Sequence, residues 1–285
     1  MGSLAAFHTF PVSGENRMSA APGVNADTDV FSVFFRRLSQ ASQRLLILDY
    51  DGTVAPFVVD RRRAFPYPTV PELLDSIMST CRTRLVLVTG RSAEEIPVLL
   101  GIKPHPEIWG VHGLERLHPD GRQEIGYISD HELRGIAEAD EWVRQEGLTG
   151  LAELKRGALA IHWRGLRKSL VEELRTLCYR RLAPVACESN LLLTEFDGGL
   201  ELRVRTSSKE HAVRTLLSEV DTAVPVAYLG DDLTDEDAFR TLNDRGLTIL
   251  VRPVFRSTTA QTWIRPPEGV VQFLCDWVSA CGGCL

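Results

Sequence analysis

The amino-acid sequence predicts an α/β domain with a doubly wound, mostly parallel sheet, into which a smaller α+β domain is inserted. Two features carry this prediction: short apolar runs alternate with helical patterns, and the middle of the chain repeats a helix followed by a hairpin. The apolar runs occupy residues 45–48, 85–88, 108–111, 224–229 and 247–251. Because these runs are continuously apolar, each fits a strand covered on both faces, as in a parallel sheet.

Helical patterns lie between and after the apolar runs, at residues 70–80, 93–100, 209–220, 235–242 and 269–280. This alternation favours a Rossmann-like core, in which the carboxyl ends of the strands line one ligand-binding crevice. We therefore expect the polar residues that follow the strands to gather there. They are Asp49, Asp51, Thr89, Arg91, His112 and Asp231.

The middle of the chain has a different pattern. It reads as a helix at 130–145, strands near 153 and 161, a helix at 166–182 and strands near 191 and 202. Such a repeat predicts an inserted α+β cap domain with helices on one face of an antiparallel sheet. The predicted organisation is a flexible segment at 1–29, a core of 30–116 and 205–285, and a cap at 117–204.

Composition narrows the classes of function. The 285 residues are 44% hydrophobic and 25% charged, with a formal net charge of −6 at pH 7, so no nucleic-acid partner is expected and an anionic ligand needs local cations or metal. No apolar run is long enough for a membrane span. The six cysteines are dispersed, unlike those of a small secreted scaffold. We expect a cytoplasmic monomer that binds a small molecule.

The first candidate motif follows the first predicted strand, where Asp49 and Asp51 are two residues apart. In an extended chain both carboxylates point the same way, and two close negative charges need a cation such as Mg²⁺. One carboxylate can attack phosphorus while the other transfers a proton. Gly52 allows a sharp turn beneath the site. The alternative is a metal-free turn or helix cap built from the same acids.

Two further motifs supply groups that bind anions. Thr89 and Arg91 follow the second strand, where a hydroxyl, backbone amides and a guanidinium can hold a phosphoryl group; a plain helix cap is the alternative. Lys209 begins a predicted helix, and a fixed ammonium there would stabilise the transferred phosphoryl group. A solvated surface lysine is the alternative for Lys209.

The fourth motif is an acid-rich loop at residues 230–237, directly after the apolar run at 224–229. Its carboxylates need a compensating cation, and oxygen ligands favour Mg²⁺ over zinc. We expect Asp231 to be a metal ligand, and Asp235 either to be a ligand as well or to hold Asp231. Asp235 could instead cap the following helix.

These motifs, in this order, resemble the four motifs of the haloacid dehalogenase-like phosphatases, over about residues 44–277. The resemblance implies that Asp49 is the nucleophile and Asp51 the general acid and then base. It implies that Thr89 and Lys209 bind the phosphoryl group. It also implies that Mg²⁺ is bound by Asp49, Asp51 and Asp231.

Within that superfamily the sequence is similar to the trehalose 6-phosphate phosphatases, at residues 110–115, 153–164, 199–203 and 230–236. This similarity implies hydrolysis of a sugar phosphate, with trehalose 6-phosphate as the leading substrate. The residues it assigns to the sugar phosphate are Arg91, His112, Gly113, Glu115, Glu153, Lys155, Arg164 and Glu201.

The sequence departs from the family pattern at two places. Glu210 follows Lys209 where the family usually has glycine, and Val204 follows Arg203 where the family usually has proline. These departures leave open a phosphatase for another glycosyl phosphate, such as a glycosyl-phosphoglycerate, aminosugar phosphate or cyclitol phosphate. A sugar phosphomutase and a non-catalytic sugar-phosphate sensor are the remaining alternatives.

Overall fold

The computed structural model describes residues 24–80, 82–196 and 198–283. Helix α1 spans Val24–Gln40, so the folded chain begins before residue 30, the predicted start of the core. Residues 1–23 of the predicted flexible segment lie outside the described residues. No helix in the described ranges is both long and apolar enough to cross a membrane.

The described strands are β1 (Arg44–Leu48), β2 (Thr83–Val88), β3 (Glu107–Gly110), β4 (Glu115–Leu117), β5 (Gln123–Ile125), β6 (Ala152–Lys155), β7 (Ala158–His162), β8 (Leu191–Phe196), β9 (Gly199–Val204), β10 (Val226–Gly230), β11 (Leu247–Val251) and β12 (Thr262–Ile264). The other α-helices are α2 (Val70–Thr80), α3 (Glu95–Leu100), α4 (Asp130–Gln145), α5 (Lys168–Glu188), α6 (Lys209–Ser218), α7 (Glu236–Leu242) and α8 (Glu268–Ala280).

The large sheet has the order β12-β11-β10-β1-β2-β3-β4-β5. Its strands from β12 to β3 are parallel, and β4 and β5 continue it as an antiparallel edge. The central strand β1 is in register with both neighbours, because Leu48 lies opposite Leu87 and Leu229. The segments that follow β1, β2 and β10 therefore leave the sheet at the same edge. The predicted α/β fold is confirmed.

Strand β1 shows why the apolar runs are continuous. Leu46 and Leu48 join a core cluster on one face, which includes side chains of α2 and α8. Leu45 and Ile47 join a second cluster on the other face, which includes side chains of α6 and α7. Since successive side chains point to opposite faces, a strand covered on both sides must be apolar throughout.

The cap has its own antiparallel sheet in the order β6-β7-β9-β8. Helices α4 and α5 cover one face and enclose a separate hydrophobic core. Helix α4 begins with a capping box, in which the Ser129 side chain accepts from the Glu132 amide and Glu132 accepts from the Ser129 amide. Such reciprocal bonds satisfy amide groups that the first helical turn leaves open.

The predicted start of the cap at residue 117 falls inside a strand of the core. Leu117 in β4 lies opposite Ile108 in β3, and β5 pairs with β4. The sequence after residue 117 is typical of a hairpin turn, and the start of the cap was predicted there. In the structure this hairpin joins β4 to β5 and extends the core sheet. The elements of the cap begin instead at Asp130.

Candidate active site

The base of the site is a buried carboxylate beside a buried ammonium. Asp49 follows β1, and its amide donates to Leu229 O at 2.8 Å. Lys209 begins α6, and its Nζ lies 2.8 Å from Asp49 Oδ1 and 2.8 Å from Asp235 Oδ1. Burial raises the pKa of Asp49 to about 7, against the attraction of Lys209. Asp49 and Lys209 are only 4% and 3% exposed, which excludes the reading of Lys209 as a solvated surface residue.

Asp235 organises the acid-rich loop. Its Oδ1 accepts from Lys209 Nζ at 2.8 Å and from Tyr228 Oη at 2.7 Å. Its Oδ2 accepts from the amides of Asp231 and Asp232 at 3.1 and 2.9 Å. Four donors match the acceptor sites of one carboxylate. Of the two predicted roles, the geometry therefore favours holding Asp231 in place over ligating a metal.

Asp231 has the features of a metal ligand. It is 2% exposed, and its Oδ1 accepts no hydrogen bond from the described residues. Carboxylate oxygens of Asp49, Asp231 and Asp235 lie within 4.8 Å of one another. Burial and the Asp49 charge raise the pKa of Asp231 well above its ordinary value. One lysine cannot neutralise three carboxylates, so this oxygen set fits a divalent cation such as Mg²⁺.

Gly52 permits this approach of carboxylate to backbone. Its φ is +83°, and a Cβ there would lie 2.5 Å from Asp231 Cγ. Glycine adopts this left-handed conformation without steric penalty and leaves the needed space. The turn after Asp51 thus brings the acids of two separate strands together.

Asp51 lies at a different part of the site. Its two oxygens accept from Arg91 Nη2 and Nε at 2.7 and 2.6 Å. The carboxylate cluster found in the described chain does not include it, so the predicted side-chain ligation of metal by Asp51 is not supported. The bidentate pair with Arg91 occupies both oxygens of the carboxylate. Thr89 Oγ1 accepts from the Arg91 amide at 3.2 Å and is 1% exposed.

Polar contacts join the cap to the core above these acids. Lys155 Nζ donates to Gly90 O of the core at 2.8 Å and to Glu201 Oε1 at 2.7 Å. His112 Nε2 of the core lies 3.0 Å from Glu201 Oε2. Although burial opposes its charge, Lys155 and His112 hold the pKa of Glu201 well below its usual value. The buried Glu201 therefore remains a carboxylate between the two domains.

The register of the cap sheet explains why Glu153 and Glu201 face the site together. Both lie opposite Ala160 of the strand between them, Glu153 on β6 and Glu201 on β9. Residues in one cross-strand row share a face of the sheet. Ala160 itself is fully buried, and Lys155 Nζ lies near both carboxylates, 2.7 Å from Glu201 Oε1 and 3.8 Å from Glu153 Oε2.

A cavity of about 710 Å³ lies between the two domains. The predicted site residues that line it are Asp49, Asp51, Thr89, Arg91, His112, Glu153, Lys155, Arg164, Glu201, Lys209 and Asp231. Three other predicted residues are absent from the described lining. Besides Asp235, these are Glu115, which accepts from the Ala93 amide at 2.9 Å, and Gly113, where a Cβ would lie 2.8 Å from Ser208 O. Glu115 and Gly113 instead lie against the backbone of neighbouring segments and stabilise the wall of the cavity.

The loop after Asp51 contributes residues that the sequence had not indicated. Phe57 and Arg61 line the cavity from the core side. The Arg164 guanidinium lies over the Phe57 ring, 3.9 Å from its centroid. A signal was present, since residues 61–63 are three consecutive arginines in an acidic chain. The pattern alone does not reveal which of the three turns inward.

Comparison with known proteins agrees with this geometry. The family model described as trehalose-phosphatase matches residues 47–264, which include the nucleophile candidate, the whole cap and the acid-rich loop. The chain belongs to the trehalose-phosphatase family. The predicted membership is thereby confirmed.

A relative and two solved structures illustrate the similarity. The chain is 28% identical to trehalose-phosphate phosphatase B of Arabidopsis thaliana over 261 residues, covering 83% of this chain and 66% of that protein. Its fold is similar to the trehalose-6-phosphate phosphatase C-terminal domain of C. albicans, with a TM-score of 0.76, 21% identity and coverage of 93% and 99%. A haloacid dehalogenase-like hydrolase from B. subtilis has a TM-score of 0.57, 16% identity and coverage of 81% and 99%.

The family assignment has a limit that follows from length. The chain spans just under two thirds of the plant relative, and 61% of the trehalose-phosphate phosphatase of Mycobacterium tuberculosis. The likeness to the two solved structures, at 21% and 16% identity, concerns the fold. The activity of this trehalose-phosphatase family member therefore has to be argued from its own site.

Proposed function

We propose that this protein is a Mg²⁺-dependent phosphatase that hydrolyses trehalose 6-phosphate to trehalose and phosphate through an aspartyl phosphate on Asp49. One observation carries the proposal. The buried Asp49 carboxylate lines the interdomain cavity beside both the Lys209 ammonium and the Asp231 carboxylate. A nucleophile, a fixed cation and a metal ligand thus meet where a phosphoryl group can enter.

The reaction has two displacements at phosphorus. First, an Asp49 oxygen attacks phosphorus while the bond to the sugar oxygen breaks, and Asp51 gives that oxygen a proton. Asp51 then takes a proton from a water molecule whose oxygen attacks the same phosphorus. Phosphate leaves and the Asp49 carboxylate is regenerated. To carry the proton, one Asp51 oxygen releases its hydrogen bond from Arg91, while the bond to the other oxygen keeps the side chain oriented.

The remaining groups stabilise charge on the phosphoryl oxygens. Lys209 is held by two carboxylates and cannot turn away, so its ammonium is preorganised. The Thr89 hydroxyl lines the same part of the cavity. Asp49 and Asp231 would hold Mg²⁺, which supplies positive charge that lets an anionic substrate approach an anionic nucleophile.

The cap supports a sugar as the leaving group. Glu153 and Glu201 line the cavity from one face of the cap sheet, and carboxylates accept hydrogen bonds from sugar hydroxyls. The cavity of about 710 Å³ lies within the range of roughly 300–1,000 Å³ that small-molecule sites occupy. A disaccharide phosphate fits such a volume, and the names of the relatives indicate trehalose 6-phosphate among such substrates.

A substrate panel tests the proposal. Purified protein with Mg²⁺ is given trehalose 6-phosphate, glucose phosphates, an aminosugar phosphate and a glycosyl-phosphoglycerate, and both free phosphate and isomerised sugar phosphates are measured. We expect phosphate from trehalose 6-phosphate in preference to the others. Isomers without phosphate would indicate a mutase, and binding without turnover would indicate a sensor.

The nucleophile is tested by Asp49→Asn. We expect turnover to be lost beyond the ~10²–10⁴-fold effect typical of acid-base groups, because no covalent intermediate can form. Asp75→Asn, an exposed change on α2, is the control and retains activity. Wild-type turnover in Asp49→Asn would show that the mechanism is wrong.

A further inference from the structure

A core loop approaches the cap across the cavity. Residues 57–62 line the cavity, and they follow the turn that places Asp51. Phe57 contacts Arg164 of the cap, and Arg61 Nη1 forms an ion pair with Glu153 of the cap. The loop thus contacts two cap residues already assigned to the sugar phosphate.

The position of Arg61 is fixed relative to the nucleophile. The Tyr50 hydroxyl, beside Asp49, donates to Ala64 O at 2.8 Å. Residues 61–63 form a short 3₁₀ helix whose first turn is capped by the side chain of Asp60. The side chain of Arg61 is 27% exposed whereas that of Arg62 is 85% exposed. Arg61 is therefore the less exposed of the two arginines of the triplet that line the cavity.

Arg61 connects the two domains through ion pairs. Besides the pair with Glu153, its Nη2 lies 3.3 Å from Glu95 Oε2. Glu95 Oε2 also lies 3.4 Å from Nη1 of Arg91, the residue that grips Asp51. An alternating series of charges therefore runs from the proton carrier in the core to Glu153 in the cap.

We propose that Arg61 is a specificity-determining positioning residue: it holds Glu153 in place for a sugar hydroxyl and keeps the cap closed over the cavity. The inference rests on the proposed phosphatase function. Within the cap, Glu153 Oε2 lies 3.0 Å from His162 Nε2. The ion pair with Arg61 connects Glu153 to the core. A carboxylate bound to a planar guanidinium has a fixed orientation and retains lone pairs for a hydroxyl donor.

This role predicts that substitution of Arg61 affects the turnover of two substrates differently. Trehalose 6-phosphate would contact Glu153, while para-nitrophenyl phosphate is a small ester that needs only Asp49 and its neighbours. We expect Arg61→Ala to lower kcat/KM for trehalose 6-phosphate by about 10–100-fold, mainly through KM, because removal of one partner of a partly buried charge pair leaves Glu153 without its ion pair to the core. Turnover of para-nitrophenyl phosphate should stay within about twofold of wild type.

A double-mutant cycle tests whether Arg61 acts through Glu153. If it does, the variant with both Arg61→Ala and Glu153→Ala is no worse on trehalose 6-phosphate than Glu153→Ala alone. Arg63→Ala removes the same charge from an exposed neighbour outside the described cavity lining and should change neither substrate. Arg61→Lys keeps the charge without the guanidinium fork, so it should recover part of the loss even if Arg61→Ala folds poorly.

Three outcomes would overturn the inference. An equal loss on both substrates would mean that Arg61 acts on the phosphoryl group, additive losses in the cycle would mean that it does not act through Glu153, and no loss would deny it any role. Failure of the proposed function is distinguishable, since the wild-type protein itself would then not hydrolyse trehalose 6-phosphate.

Discussion

Replacement of Asp231 by asparagine distinguishes the effect of metal binding on stability from the contribution of the rest of the core. Asp231→Asn preserves the shape of the side chain and removes one charge from a cluster whose oxygens lie within 4.8 Å of one another. Two charges at that distance repel by about 3.5 kcal/mol at an effective dielectric constant of 20. Burial raises the pKa of Asp231 and lets it take up a proton, which reduces this repulsion.

We therefore expect opposite effects with and without metal. In a chelator, Asp231→Asn should unfold at the same temperature as wild type or at a higher one, because the repulsion is gone. At a Mg²⁺ concentration of 100 times its Kd, wild type gains about 2.7 kcal/mol. For a domain of this size that corresponds to a rise in Tm of about 5–10 °C. The variant should gain little of this, and its turnover should be lost.

Thermal unfolding across a Mg²⁺ titration measures both effects. Asp237→Asn is the matched control, since it removes one charge from an exposed residue of α7 that pairs with Arg240. It should show the full Mg²⁺-dependent rise. If Asp231→Asn showed the same rise as wild type, Asp231 would not be a ligand, and the reasoning from its buried, unsatisfied oxygen would fail.

Two further predictions concern the cap and the turn beneath the acids. Because the folded-state pKa of Glu201 is held below 4.5, chiefly by Lys155 against burial, its stabilising effect is complete above pH 4.5 and lost as pH falls below it. Urea midpoints between about pH 6 and pH 3.5 should therefore fall less in Glu201→Gln than in wild type. Gly52→Ala places a Cβ 2.5 Å from Asp231 Cγ and should lose about 1–3 kcal/mol and weaken the Mg²⁺ effect. Gly121→Ala, with a similar φ of +86° and an open surrounding, isolates the backbone strain in calorimetry.

The strands could be predicted because their signal is local. A strand covered on both faces has a continuous apolar run, and β10 as well as β1 and β2 beyond their polar first residues show this in the sequence itself. The carboxyl ends of these strands then indicate where the active site lies, since parallel strands in register end at the same edge of the sheet. Asp49, Thr89 and Asp231 were therefore assigned from pattern alone, and the structure brings them to one cavity.

The roles of individual acids were harder to predict, because a role depends on which donors each oxygen meets. Asp51 and Asp235 looked equally suited to metal in the sequence. In the folded chain Arg91 occupies both oxygens of Asp51, and four donors occupy those of Asp235. Arg61 could not be chosen from three identical neighbours, because its role depends on ion pairs with Glu95 and with Glu153 of the cap, which are distant in the sequence.

The two departures from the family pattern have physical explanations in the structure. Glu210 occupies the first turn of α6, where a negative side chain interacts favourably with the helix dipole. That position is helical, so this chain needs no glycine after Lys209. The replacement leaves the Lys209 ammonium between its two carboxylates, and the phosphoryl-binding geometry is unaffected.

Val204 changes the point at which the chain leaves the cap. Its amide donates to Gly157 O at 2.9 Å, a bond that proline cannot form because it lacks an N–H. A net contribution of about 0.5–1.5 kcal/mol is typical of one such bond. Strand β9 is therefore paired to its last residue, and the exposed residues 205–206 beyond it form the connection back to the core. Rotation of the cap at that connection would keep Glu201 and its row of the sheet intact, because the sheet would move as one unit.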